Sequence, residues 1–297
     1  MKPALFSVGY AGLWGQAVLS PADFVARAAR LGYRSVMLMG KRPHVSPIDA
    51  SPDFLASLKR ALDASHVTCD VIAGYTNLSP QGPSEVPAIE FQIAYVESLA
   101  RIARMLGARI VRIFTAYESD TIDLQLQWDR AVNAIREICD RAATEGITIA
   151  IQNHHDLAIH TDALLELLSD VDRPNCKLGF DAWSPALRGE DLYEAARRAA
   201  PHAVLTTAAD YVRSPRYRYR PALVNYERLT TDWVRAVPFG TGFIDYGAFF
   251  RGLCDGGFDG LAAYEMCSPL RGGGSLENLD AHATKFLDWL KRFAAGR

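Results

Sequence analysis

Short apolar segments alternate with amphipathic segments along the whole chain. The apolar segments are rich in Val, Ile, Leu and Phe, which is typical of buried β-strands. The pattern predicts eight strands, at residues 4–10, 35–39, 67–74, 109–115, 147–153, 177–181, 204–208 and 261–266.

Helix start and stop signals separate these strands. Ser20-Pro21 and Ser51-Pro52 each place a capping hydroxyl before a proline in the first helical turn. Glycines such as Gly32, Gly107 and Gly146 follow the last apolar residue of a helical repeat, where helices end. Further helices are expected from Pro87, near Asp129, after a cap at Thr161, near Glu190, after a cap at Asp245 and from Leu276.

Eight strand–helix units in 297 residues with no linker predict one α/β domain over residues 1–297, a (β/α)₈ TIM barrel. The alternative is a doubly wound open sheet. Against it, no G-x-G-x-x-G follows the first strand, and Gly9, Gly12 and Gly15 have a different spacing.

Composition narrows the classes of partner. With 32 basic and 34 acidic residues the net charge is −2, which disfavours nucleic acid as a partner. The five cysteines include no C-x-x-C pair, which disfavours a disulfide framework or structural zinc and favours a reducing, cytoplasmic location. Glycines interrupt the uncharged stretch after Lys2, so we expect a strand and loop there rather than a signal peptide. No apolar run is long enough to cross a membrane.

In a barrel the working residues lie at the carboxyl ends of the strands. Asp181 and Glu265 each end an apolar strand, where a carboxylate is costly unless something pairs it. A divalent cation or a proton shared between the two acids would pair them. The alternative is a salt bridge to a nearby loop arginine, of which there are three: Arg188, Arg213 and Arg271.

The densest polar cluster, Gln152 to Asp156, follows the fifth strand. Neighbouring side chains on a strand point to opposite faces, so only one of His154 and His155 is expected to face a shared site. A neutral imidazole there can bind a metal or move a proton near pH 7. The alternative is that one histidine packs beneath a loop and the other is solvated.

Other polar or aromatic residues at the strand ends are candidates for substrate binding: His44, Tyr75, Asn153, Trp183, Asp210, Arg213 and Arg271. The segment from Tyr211 to Arg220 holds four arginines and three tyrosines. It suits a lid over an anionic or polyol ligand, a nucleic-acid clamp, or a solvated loop. The glycines at 272–274 suit either a phosphate cradle or a flexible connection.

The order of these motifs resembles a known family. Gln152-Asn153-His154, Asp181-Ala182-Trp183-Ser184, Asp210 and Glu265, with segments such as GYTNL and PFGTGFIDY, resemble the xylose-isomerase-like TIM barrels of the sugar phosphate isomerase/epimerase superfamily. The resemblance covers essentially the whole chain. It implies one divalent ion held by Glu, Asp, His and Glu, with two of the acids moving a proton beside a substrate carbonyl.

Two of the four ligand positions depart from that pattern. Gln152 stands in place of a glutamate and Thr207 in place of a histidine, while Asp181 and Glu265 match. Gln152, Asp181 and Glu265 would then hold Mg²⁺ or Mn²⁺ loosely, and a metal-free site is the alternative. Glu265 alone remains of the proton shuttle, so a second acid or base would come from His154, His155 or Tyr75.

The predicted function is a sugar or keto-sugar isomerase or epimerase in which Glu265 removes a proton next to a carbonyl. The alternatives are a lyase or dehydratase acting on a sugar-derived keto compound, and a catalytically altered barrel that serves as a binding subunit. A nuclease is disfavoured. The expected partner is a small sugar-like molecule, with no nucleic acid and no membrane, and a homo-oligomer is expected through Trp128, Trp233 and Tyr226.

Overall fold

A computed structural model describes residues 1–79 and 85–296. The strands are β1 Lys2–Phe6, β2 Ser35–Met39, β3 Thr68–Ala73, β4 Ile110–Ile113, β5 Thr148–Ile151, β6 Cys176–Gly179, β7 Ala203–Ala208, β8 Asp210–Ser214, β9 Tyr217–Arg220, β10 Asn225–Arg228, β11 Trp233–Val237 and β12 Leu261–Tyr264. Strands β1 to β7 and β12 form a closed barrel in the order β1-β12-β7-β6-β5-β4-β3-β2. The barrel pairs are parallel, which confirms the predicted TIM barrel and excludes the open sheet.

The helices lie between the strands as the start and stop signals predict, and one further short helix, α6, follows β6 without having been predicted. They are α1 Pro21–Arg30, α2 Pro52–Ala64, α3 Ala88–Leu106, α4 Leu124–Thr144, α5 Thr161–Val171, α6 Trp183–Arg188, α7 Leu192–Ala199, α8 Tyr246–Asp255 and α9 Leu276–Ala295. The hydroxyls of Ser20 and Ser51 accept backbone N–H groups of α1 and α2, each at 3.2 Å. Gly107 ends α3 with a φ of 82°, a conformation that favours glycine.

The core has two parts, because alternate strand residues point into the barrel or out towards the helices. Apolar side chains of different sizes fill the interior, among them Ala4, Phe6, Met37 and Ala263. The outer layer packs the other strand face against the helices. One fully buried charged residue, Arg112 of β4, lies within the barrel.

Several boundaries differ from the predictions. The first strand ends at Phe6, and residues 7–10 form a 3₁₀ turn, in which a Cβ on Gly9 would lie 2.6 Å from the Met266 methyl group. Asp123, rather than a residue near Asp129, caps α4. His160 caps α5 with its ring nitrogen, so the predicted cap at Thr161 is wrong by one residue.

The segment between β7 and α8 forms two antiparallel ribbons. Strand β8 pairs with β11, and β9 pairs with β10. The β9–β10 ribbon is exposed along both strands, whereas the β8–β11 ribbon packs on the barrel end. Within the described part of the chain, no helix is both long and apolar enough to cross a membrane.

Candidate active site

A cavity of about 150 Å³ opens at the carboxyl ends of the barrel strands. Its wall includes Asp181, Glu265, Gln152 and Thr207, which follow or end four neighbouring strands. The remaining wall is made by His154, Trp183, Ala208, Ala209, Tyr211, Val234, Tyr246, Cys267 and Ser268. The barrel therefore brings both predicted acids to one cavity, together with the two positions that depart from the family pattern.

Asp181 lies two residues beyond β6 and is almost fully buried. Its Oδ1 accepts the backbone N–H groups of Trp183 at 3.0 Å and Ser184 at 3.4 Å. Burial raises its pKa to about 7; the hydrogen bond from Gln152 opposes this shift and the charge of Glu265 adds to it. Asp181 is thus a carboxyl group that can hold a proton near neutral pH.

The side-chain amide of Gln152 connects Asp181 to Thr207 of β7. Its Nε2 donates to Asp181 Oδ2 at 2.7 Å and to Thr207 Oγ1 at 3.1 Å. Its Oε1 is buried and has no hydrogen-bond partner among the described residues. A buried amide oxygen without a donor is costly, so the Gln152 oxygen is available to a substrate hydroxyl or a cation.

Glu265 directly follows β12 and is 9% exposed. The thiol of Cys267 donates to Glu265 Oε1 at 2.7 Å. Burial, followed by the charge of Glu265, raises the pKa of Cys267 well above its usual value, so the thiol stays protonated as a donor. No salt bridge to an arginine is found at Asp181 or Glu265 in residues 1–79 and 85–296, and Arg188 pairs with Glu190 instead.

The side chains of His154 and His155 lie next to each other instead of pointing to opposite faces, because His155 has a φ of 72° and turns the chain. His154 lines the cavity, while the His155 ring stacks on Tyr117 at 3.9 Å in a neighbouring groove. His154 Nδ1 accepts the His155 backbone N–H at 2.8 Å, so the neutral His154 ring carries its proton on Nε2. Burial lowers the pKa of each ring to about 4, so both are neutral at pH 7.

Three predicted substrate-binding side chains are engaged by the protein itself. Asn153 is fully buried and bonds both the N–H and the carbonyl of Asp181, which holds β5 and β6 together. The Asp210 carboxylate accepts the N–H groups of Gly240 at 3.0 Å and Gly242 at 2.7 Å, and it anchors the loop before α8.

His44 is the third of these side chains. It bridges the Ser7 hydroxyl at 2.9 Å and the Leu19 carbonyl at 3.2 Å, near the first turn after β1. Its ring also stacks on Phe24 of α1. These contacts point to a structural use of His44.

The arginine-rich segment begins in the ribbon formed by β8 and β11. Tyr211 of β8 and Val234 of β11 line the cavity, so the ribbon forms one wall of it. Arg213 is exposed and lies over the Phe243 ring at 4.1 Å. Exposed Arg271 lies in the loop after β12, in which Gly274 lies against Gly15 and Gln16 and its carbonyl accepts the Ala17 N–H.

The expected homo-oligomer would form through three aromatic residues: Trp128, Trp233 and Tyr226. Trp128 is half-buried and donates to Asp170, which leaves Trp233 and Tyr226 exposed. An interface between copies of the chain stays a prediction.

Sequence reasoning missed Arg112, whose guanidinium lies 5.0 Å from the Tyr75 ring and 4.0 Å from the Phe114 ring. An arginine inside an apolar strand is a visible signal, but a search restricted to strand ends passes over it. Lys41 also lies over the Tyr75 ring, 3.8 Å from its centre. Cys267, which bonds Glu265, was also not predicted as a site residue.

Comparison with known proteins agrees with this architecture. Residues 25–293 match a family model described as the xylose isomerase-like TIM barrel. A 3-dehydroshikimate dehydratase of Bacillus anthracis is 27% identical over 129 residues, which cover 41% of this chain and only 46% of that relative.

Solved structures share the whole fold at low identity. A probable 3-DHS dehydratase of Bacillus anthracis has a TM-score of 0.71 at 19% identity, over 97% of this chain and 98% of that one. A D-allulose 3-epimerase of Methylomonas sp. has a TM-score of 0.73 at 17% identity, over 98% and 96%. The D-psicose 3-epimerase of Clostridium cellulolyticum H10 has a TM-score of 0.73 at 16% identity, over 99% of each chain. Since the family model covers most of its length, the chain belongs to the xylose isomerase-like TIM barrel family.

Proposed function

We propose that the protein is an isomerase or epimerase of a sugar or keto sugar that works by proton abstraction next to a carbonyl. One observation carries the proposal: Asp181 and Glu265 line the same cavity without a salt bridge among the described residues. Two carboxyl groups that face one small cavity and have no cationic partner can take a proton from a bound molecule and return it.

In the proposed reaction Glu265 removes a proton from the carbon beside the carbonyl. The electron pair of the broken C–H bond forms a C=C bond to the carbonyl carbon, and the π electrons of the carbonyl move onto its oxygen, which becomes an enediolate oxygen. His154, with its proton on Nε2, donates a hydrogen bond to that oxygen. Return of the proton by Glu265 to the former carbonyl carbon gives an isomerase, because the hydroxyl proton of the adjacent carbon passes to the enediolate oxygen and that hydroxyl becomes the new carbonyl. Return by Asp181 from the opposite face gives an epimerase.

A divalent cation fits the oxygen atoms of this site only loosely. The described residues hold no group of three or more His, Cys, Asp or Glu side chains placed to bind a metal. The ligands would be the two carboxylates and the unpartnered Gln152 Oε1, a set that favours Mg²⁺ or Mn²⁺. Such an ion, when bound, supplies Lewis-acid polarisation of the carbonyl oxygen.

A dehydratase is the second candidate, supported by the 27% identity to the Bacillus anthracis enzyme. The first step is the same, but a C–O bond then breaks and the hydroxyl leaves as water with a proton from an acid in the cavity. The two candidates therefore differ in the fate of the enediolate.

Incubation with keto sugars in D₂O tests the shared first step. We expect deuterium at the carbon next to the carbonyl, measured by NMR, and an isomer, an epimer or a dehydrated product reveals the later step. Absence of exchange from the whole panel, with and without Mn²⁺, would contradict the proposal.

A further inference from the structure

Two positive side chains lie close to one aromatic ring at the mouth of the barrel. Lys41 Nζ lies 3.8 Å above the Tyr75 ring centre, and the Arg112 guanidinium carbon lies 5.0 Å from the same centre. Lys41 follows β2, Tyr75 follows β3, and Arg112 belongs to β4. The pair therefore lies on the side of the barrel formed by β2, β3 and β4.

Neither cation has an acidic partner within salt-bridge distance among the residues that the structure describes. Arg112 is fully buried; its Nη1 donates to the Gly74 carbonyl at 2.9 Å, while Nε and Nη2 have no partner. A buried charge without a counter-ion is costly, and in a low-dielectric surrounding its field reaches further than that of a surface charge. Burial and the charge of Arg112 both lower the pKa of Lys41, as expected for two uncompensated cations.

This positive region is connected to the cavity through two aromatic contacts. The Tyr75 ring meets the Phe114 ring edge-on at 5.7 Å, and Phe114 lies 4.5 Å from the ring of His154, which lines the cavity. The buried hydroxyl of Tyr75 has no partner in the described residues. Burial raises its pKa, and the charge of Glu265 adds to this shift. The mouth thus has a positive side at β2 to β4 and a negative side formed by Asp181 and Glu265.

We propose that Lys41 binds an anionic group of the substrate, with Arg112 adding positive charge from the buried strand β4 near the Tyr75 ring. The inference rests on the proposed function and makes the substrate an anionic keto sugar, either a sugar acid or a sugar phosphate. Lys41 is then a specificity-determining residue that separates such anions from neutral sugars.

Binding of three matched probes tests the proposal. D-fructose, 2-keto-D-gluconate and D-fructose 1-phosphate share their carbons from C2 onwards and differ in the group at C1. By isothermal titration calorimetry we expect one of the anions to bind about tenfold or more tightly than fructose, as for a charge-assisted hydrogen bond. The anion that binds more tightly than fructose shows whether the site prefers a carboxylate or a phosphate.

The variant Lys41→Met keeps an unbranched chain over Tyr75 and removes the charge, so it should abolish the preference for the anion and leave fructose binding unchanged. Exposed Lys291 of α9 provides the matched control Lys291→Met, which should keep the preference. The variant Arg112→Lys keeps a positive charge at the buried position, so the preference for the anion should persist. The inference would be overturned if the acid, the phosphate and fructose bound with equal affinity or if none of them bound. It would also be overturned if the preference for an anion survived in Lys41→Met.

Binding and turnover separate this inference from the proposed function. An anion that binds through Lys41 but exchanges no deuterium supports the inference and contradicts the proposed reaction. An anionic keto sugar that exchanges deuterium equally well in wild type and Lys41→Met overturns the inference and leaves the proposed reaction standing.

Discussion

The side-chain amide of Gln152 donates a hydrogen bond of 2.7 Å to the Asp181 carboxylate. A neutral donor therefore stabilises this acid at a position where the family resemblance implies a third carboxylate. The same amide bonds Thr207, so Gln152 connects β5, β6 and β7 at the mouth. This arrangement weakens the attraction of the site for a cation, since it leaves two negative charges rather than three.

Gln152→Glu should restore a metal site. The new carboxylate repels Asp181 in the metal-free protein, and we expect a loss of about 1–3 kcal/mol in the free energy of unfolding. Added Mn²⁺ should reverse that loss, with an affinity about tenfold or more above that of the wild type because a third negative ligand is present. Calorimetric titration with MnCl₂ and thermal unfolding measure the two effects.

The control for this variant is Gln125→Glu on the exposed start of α4, where the new carboxylate faces Asp129 in solvent; we expect a loss of only about 0.2–0.5 kcal/mol and no change in Mn²⁺ affinity. If wild type and Gln152→Glu bind Mn²⁺ equally, Gln152 does not set the metal affinity.

Glu265→Gln should remove the base of the proposed reaction. The amide keeps the size of the side chain but cannot accept the proton, so deuterium exchange should fall by about a hundredfold or more. The melting temperature should remain close to that of the wild type, since no salt bridge to an arginine is lost. Exposed Glu166 of α5 gives the matched control Glu166→Gln, which should exchange at the wild-type rate. Undiminished exchange in Glu265→Gln would assign the base to another group.

Cys267 acts in this scheme as a positioning residue, because its thiol holds Glu265 Oε1 at 2.7 Å. Cys267→Ala should lower kcat by about tenfold, equivalent to one lost hydrogen bond, with little change in KM. Cys267→Ser should recover most of the loss, since a hydroxyl can donate in the same place. Equal activity of the alanine and serine variants, whether high or low, would argue against a role for the hydrogen bond.

The main features of the site follow from the sequence for a simple reason. In a parallel barrel every strand ends at the same face, so Asp181 and Glu265 at strand ends had to meet at one mouth. The Ser-Pro helix starts were equally readable, because an N-cap depends on a few neighbouring residues. These predictions needed only local pattern and chain direction.

Contacts made by distant backbone were not readable in this way. Asp210 stands at a strand end like Asp181, yet Gly240 and Gly242 return from another part of the chain to bond its carboxylate. The ribbon that supplies Tyr211 and Val234 to the cavity was also missed as a strand pair. Its arginines and tyrosines do not separate into a buried and an exposed face, so no strand periodicity marks it.

His44 should make stability depend on pH. Burial lowers the pKa of its ring to about 4, against 6.5 for an unperturbed histidine. Between these values the unfolded chain binds a proton that the native state does not. The contribution of neutral His44 is therefore fully present above pH 6.5 and is lost as the pH falls towards 4. Each such histidine adds a slope of up to about 1.4 kcal/mol per pH unit, and His154 and His155 act in the same direction.

The variant His44→Gln isolates this contribution, because its amide can still bond Ser7 and the Leu19 carbonyl while it cannot take up a proton. Urea unfolding at pH 7.5, 6 and 5 should give a shallower loss of stability in the variant than in the wild type. Exposed His202 provides the control His202→Gln, for which we expect the wild-type slope. Parallel curves for wild type and His44→Gln would mean that His44 takes up its proton in the native state, and its burial would then not be the cause of the acid sensitivity.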